Sequence, residues 1–170
     1  MTGRPDKSEA AAHYFAYIDQ VAGDDPQAAL ENQLENAIEL LSTISEPTSQ
    51  HRYQPDKWSI RQLLNHVTDT ERAFVFRAMW FARGFEEALP GYDQEIAASG
   101  AEADTIAWAA HVEEFRRVRL ATMSFFANLP PNAWMKTGKA SGYPFTVRAL
   151  AFIAAGHAVH HFRILRERYL

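Results

Sequence analysis

From Thr146 to the C-terminus the chain reads as one uninterrupted helical pattern, and this run constrains the fold more than any other. Val147, Leu150, Ala154, His157, His161 and Ile164 recur at steps of three and four, the spacing of an inward helical stripe. Thr146 precedes them as a cap. A long helix with such a stripe is stable only when other elements cover it, so a helical bundle is expected.

Three further runs supply the partners. Leu30, Leu34, Ala37, Leu41 and Ile44 follow an Asp-Pro helix start, which predicts a helix over 26–45. Ser59 as N-cap and Gly84 as the stop predict a second over 60–83. Trp108, Val112, Phe115, Thr122, Phe126 and Leu129 form a third stripe, halted by Pro130 and Pro131. A short N-terminal helical segment around AAAHYFAYIDQV is expected to pack on these four. The fold class is therefore all-α, a four-helix bundle in a single domain spanning 1–170. The long linkers after residues 84 and 129 exceed ordinary bundle turns, so at least one connection crosses over the bundle. A small hairpin around TGKASGYPF is the only sheet allowed for, because its Gly and Pro suit a tight reversal.

Composition narrows the chemistry. With 17 Lys and Arg against 21 Asp and Glu, the net charge is −4, which disfavours a nucleic-acid partner. The chain has no cysteine, so disulfides, thiolate ligands and a cysteine nucleophile are excluded. Any metal must be held by nitrogen and oxygen donors. No run reads as a signal peptide or a membrane span, and a cytoplasmic protein without a membrane partner is expected.

The seven histidines are not equivalent. His157 and His161 lie one turn apart on the same stripe, a pairing that one divalent ion accepts, with His160 offering His157 an i, i+3 alternative. Hydrogen-bonded or solvent-facing histidines are the commoner outcome of such spacing. His66 adds weight: it shares the inward face of the second helix with Leu63, Val67 and Thr70 and has no evident partner in that helix. At a rise of about 1.5 Å per residue, His66 lies about 10 Å into its helix and the pair about 15 Å from the end of the last one. If the two helices pack antiparallel, the three rings come to similar heights, and the parallel alternative fits slightly worse. Asp69 is the nearest carboxylate and suits an imidazole acceptor or a general base, against the alternative of a surface ion pair with Arg72. Glu71 reads as an ion-pair partner of Arg72 or Arg77. Tyr92 and Asp93 suit a pocket rim, Trp58, Trp80 and Trp108 suit packing, and His13, His51 and His111 suit surface or structural places.

Three segments carry a family resemblance: YQPDKWSIRQLLNHVTDTERAFVFRAMWFARG, LPGYDQE and VRALAFIAAGHAVHHFRILRERYL. Together, over about residues 14–170, they resemble the DinB-like superfamily, in particular its YfiT-type metal-dependent hydrolases and thiol transferases. The resemblance implies an up-down-down-up bundle and a divalent ion on His66, His157 and His161, with His160 turned away. It also implies homodimers and a small-molecule substrate, with a low-molecular-weight thiol as one candidate. A three-histidine site leaves a coordination position for water or substrate. Zinc or nickel is expected first, with iron and manganese as alternatives; the absence of a carboxylate ligand argues against the facial iron triad.

Overall fold

The computed structural model describes residues 3–170, so positions 1 and 2 of the expected 1–170 domain lie outside the described residues. Six helices form: α1 (Phe15–Ile18), α2 (Pro26–Ser42), α3 (Ile60–Arg83), α4 (Gln94–Gly100), α5 (Trp108–Ala127) and α6 (Val147–Ile164). A two-stranded hairpin, β1 (Thr137–Ala140) and β2 (Tyr143–Thr146), is the whole of the sheet among the described residues.

Local chemistry sets the boundaries. Asp25 caps α2 by accepting from the backbone N–H of Gln27 and Ala28, with Pro26 in the first turn. At α3, Ser59 accepts from Gln62 N–H and the Gln62 side chain accepts in return from Ser59 N–H, a reciprocal cap. Gly84 ends that helix at φ 88°, in the left-handed region. Helix α2 stops at Ser42 rather than at the expected residue 45. There the hydroxyls of Ser42 and Thr43 donate to the carbonyls of Glu39 and Leu40, competing with the backbone in the last turn.

Two apolar clusters fix the helix directions. The first joins Leu30, the Phe74–Ala82 end of α3, Phe126 and Leu129 to residues 147–155. The second joins Ala37 and Leu41, the Ile60–Val67 end of α3, Trp108 and Phe115 to Ala158 and Phe162. Helices α2 and α6 therefore run from the first cluster to the second, and α3 and α5 run the other way. The order is up-down-down-up. Because α3 and α5 are parallel, residues 84–107 must return along the bundle, and this crossover contains α4.

Helix α6 is buried well beyond its expected stripe, with Ala149 to Ala158 buried on every side. The N-terminal segment causes this by lying across the face that the other helices leave uncovered. Their approach is close: a Cβ on Gly156 would fall 2.1 Å from the Tyr17 carbonyl oxygen, so only glycine fits there. Burial of residues such as Leu150 and Ile153, each worth about 1.5–3 kcal/mol, makes α6 the axis of the core. Its final turn, Leu165–Tyr169, widens to π-helical geometry, and the Tyr169 hydroxyl donates to Trp58 O at 2.8 Å.

The hairpin reverses through Ser141 and Gly142, both in the left-handed region at φ 54° and 82°. Leu89 in the crossover pairs with this hairpin through Leu89 N to Lys139 O (2.9 Å) and Ser141 N to Leu89 O (3.2 Å). That pairing places the Pro90–Tyr92 loop beside the α3–α6 interface.

Candidate metal centre

His66 and His157 meet where α3 crosses α6, with their Nε2 atoms 3.1 Å apart. His161, one turn beyond His157, completes a cluster in which one nitrogen of each ring lies within 4.8 Å of the others. A tetrahedral ion with bonds of roughly 2.0–2.1 Å needs donor separations of about 3.4 Å, so small ring rotations suffice. His66 and His157 are each 4 % exposed.

Apart from the contact between His66 Nε2 and His157 Nε2, no hydrogen bond of the described residues claims these two nitrogens. His66 Nδ1 pairs with Thr70 Oγ1 at 3.3 Å, which turns Nε2 toward the other rings. This corrects the expectation that His66 lacks a partner in its own helix, because Thr70 sits one turn on. His161 Nδ1 is buried with no hydrogen-bond partner among the described residues. Burial pushes His66 down to about 4 and His161 to about 3; His157, buried deeper and beside the other rings, lies well below the usual range. Three neutral imidazoles with converging nitrogens, one of them orphaned, are the donor set a borderline divalent ion requires.

Aromatic rings wall the cluster. Trp58 lies 4.8 Å from the His66 ring, Phe74 5.8 Å from His157, and Tyr17 5.4 Å from both His157 and His160. His160 accordingly leaves the cluster and is half-buried against Tyr17. Trp58 thus has a second role beyond the packing expected of it.

A cavity of about 130 Å³ reaches His66 and His157 from outside. Tyr14 and Tyr17 close it from the N-terminal segment, Tyr92 stands at the rim, and Arg77 and Ser141 form another part of its wall. Arg77 is 4 % exposed and donates from Nη2 to Ser141 Oγ at 3.0 Å and to Pro90 O at 3.4 Å. Of the loop residues read as a rim, Tyr92 lines the cavity and Asp93 instead caps α4 by accepting from Glu95 and Ile96 N–H.

Asp69 stands apart from the rings. Its carboxylate accepts from Arg72 Nη1 at 2.8 Å, and Arg72 also reaches Glu114 at 2.7 Å, so the ion-pair alternative describes its position. Glu71 pairs with neither Arg72 nor Arg77. Its carboxylate is buried against Arg119 of α5, with Nη2 to Oε2 at 2.8 Å. Arg119 also donates to Gln33 Oε1 at 2.9 Å, and Gln33 Nε2 donates to Ala155 O at 3.2 Å, so one polar chain crosses all four bundle helices. His111 is structural, buried with Nε2 2.9 Å from Ala103 O.

The DinB superfamily model matches residues 29–165, most of the chain. The chain belongs to the DinB superfamily. Two solved structures share this DinB fold. One is YfiT from Bacillus subtilis, described as a probable metal-dependent hydrolase with an unusual four-helix bundle topology. It is 14 % identical at a TM-score of 0.65, over 95 % of this chain and 91 % of that one. The other is a mycothiol-dependent maleylpyruvate isomerase, 13 % identical at a TM-score of 0.65, over 81 % of this chain and 58 % of that one. No functionally curated protein matches this sequence. Among the described residues of this DinB protein, no helix is long and apolar enough to cross a membrane.

Proposed function

We propose that this DinB protein is a divalent-metal-dependent enzyme acting on a small molecule, with His66, His157 and His161 as the metal ligands. The observation that carries this reading is the convergence of three neutral imidazole nitrogens within 4.8 Å, two of them on buried histidines and the third on half-buried His161, at a place a cavity reaches. An ion there, zinc or nickel before iron or manganese, supplies an open coordination position and lowers the pKa of a water or thiol that occupies it. Thr70 orients His66, Tyr17 and Trp58 limit ring motion, and the tyrosines at the cavity wall restrict water access. Asp69 receives no proton-transfer role, because Arg72 holds its carboxylate.

Hydrolysis and transfer of a low-molecular-weight thiol are the two reactions such a centre serves. The description of YfiT as a probable metal-dependent hydrolase favours the first, and the description of the isomerase as mycothiol-dependent favours use of a low-molecular-weight thiol. A cytoplasmic setting and a homodimer belong to the same proposal; the homodimer rests on the family resemblance. Protein purified without an affinity tag, analysed for metal and then screened for ester hydrolysis and thiol conjugation, tests the reading. Activity in one screen that needs zinc and is lost in His161→Ala supports it. Firm zinc binding with no activity in either screen points instead to an ion that only ties α3 to α6.

A further inference from the structure

An arginine side chain is charged at any pH a folded protein meets, and it is seldom buried without a counter-charge. The other core arginines of this protein obey that rule: Arg119 meets Glu71, and Arg61 meets Glu46. Arg77 does not. It is as buried as His66, yet no carboxylate of the described residues lies within ion-pair range. Its hydrogen bonds are two, both from Nη2 and both to neutral oxygens. Nε and Nη1 make none among the described residues, and neither is sealed from the cavity as an orphaned buried atom.

The surroundings reinforce this. Among the described residues, Arg77 is the single cation in the cavity wall, and no Asp or Glu lines it. The same cavity reaches His66 and His157, while Tyr14, Tyr17 and Tyr92 add phenol groups and Thr70 and Ser141 add hydroxyls. Ser141 is held at the hairpin turn at φ 54°, where its hydroxyl accepts from Nη2. The donors left over after these bonds belong to a side chain that lines the cavity, and a guanidinium fork there fits an oxyanion.

We propose that Arg77 is the anchor for a carboxylate group of the small molecule that enters this cavity. The proposal rests on the metal-dependent reading for the purpose of the site, though not for the anion subsite itself. One fixed guanidinium balances one carboxylate. With no ion on the histidines, a phosphate monoester dianion would keep an unmatched charge in a wall that otherwise offers neutral groups. The substrate class is accordingly a small carboxylic acid, its carboxylate held at Arg77 and its reacting end directed toward the histidines.

The test uses the full chain with ¹⁵N-labelled arginine, zinc-free and zinc-loaded, with the Nε–Hε signal of Arg77 assigned by its loss in Arg77→Lys. Propionate should move that signal saturably in both forms, whereas propionamide, of the same shape without the charge, should not. Arg77→Gln should weaken propionate binding by about tenfold or more while taking up zinc like the parent. Equal responses to acid and amide, or an unmoved Arg77 signal, overturn the proposal. Inorganic phosphate binding more tightly than propionate overturns the assignment to carboxylates. Failure of the parent to bind zinc would refute the metal reading alone, since the zinc-free titration still decides Arg77.

Discussion

Replacing Arg119 by Met tests whether the Glu71–Arg119 pair is a structural keystone. The Arg119 side chain is 0 % exposed and that of Glu71 2 %, and the guanidinium reaches the carboxylate through Nε at 3.0 and 3.1 Å and Nη2 at 2.8 Å. Arg119→Met leaves that carboxylate in the core without a cation, a change that costs roughly 3–5 kcal/mol. Gln33 Oε1 and Leu30 O also lose their donor, at about 1 kcal/mol each where water does not replace it. Against a total stability on the order of 5–15 kcal/mol, this shifts the urea midpoint down by roughly 1–3 M. The double replacement Glu71→Leu with Arg119→Met removes both charges and should recover at least about 2 kcal/mol of the loss. The assay is urea unfolding followed by tryptophan fluorescence and circular dichroism together. A single variant within about 1 kcal/mol of the parent, or a double variant no more stable than the single, refutes the reasoning.

Thr70→Val keeps the shape of the side chain and removes the hydroxyl that orients His66, so zinc affinity should fall about 10–100-fold, with Thr70→Ser close to the parent; competition against a chromogenic chelator measures both. For the metal-free protein, the His66 value falls from 6.5 unfolded to about 4 folded, so in that window the unfolded chain binds more protons and acidification destabilises the fold. His66 alone contributes on the order of 3 kcal/mol of loss between pH 6.5 and about 4, visible in urea midpoints measured across that range. A flat profile would contradict a buried, neutral histidine cluster.

Much of this architecture is legible in the residues themselves. The Ser59 cap and the Gly84 stop delimit α3 as expected, because both act through short-range backbone geometry. The register of His66, His157 and His161 follows from helical periodicity combined with antiparallel packing. What escapes is whatever depends on a neighbour distant in sequence. The stripe of α5 steps from Phe115 to Thr122 with a gap at Arg119, and that gap marks a buried position filled by a charge whose partner sits on α3. The periodicity also carries Arg77 inward, seven residues on from Thr70 and three on from Phe74, but its lack of a carboxylate becomes evident only when the hairpin and crossover are in place. The full burial of α6 likewise needs the N-terminal segment, whose approach at Gly156 no helical pattern announces. Asp69 and His66 lie close in sequence, yet Arg72, itself paired with Glu114, holds the carboxylate toward the surface.

The central claim is that one ion binds through His66, His157 and His161, and zinc titration of four single alanine variants tests it most directly. The parent and His160→Ala should each take up one zinc per chain with similar affinity, because His160 turns from the cluster toward Tyr17. His66→Ala, His157→Ala and His161→Ala should each bind far more weakly, since every remaining pair lacks the third nitrogen. Loss of zinc in His160→Ala with retention in His161→Ala would show that the ligand pair is the i, i+3 one, and equal binding by all four variants would contradict the histidine site altogether.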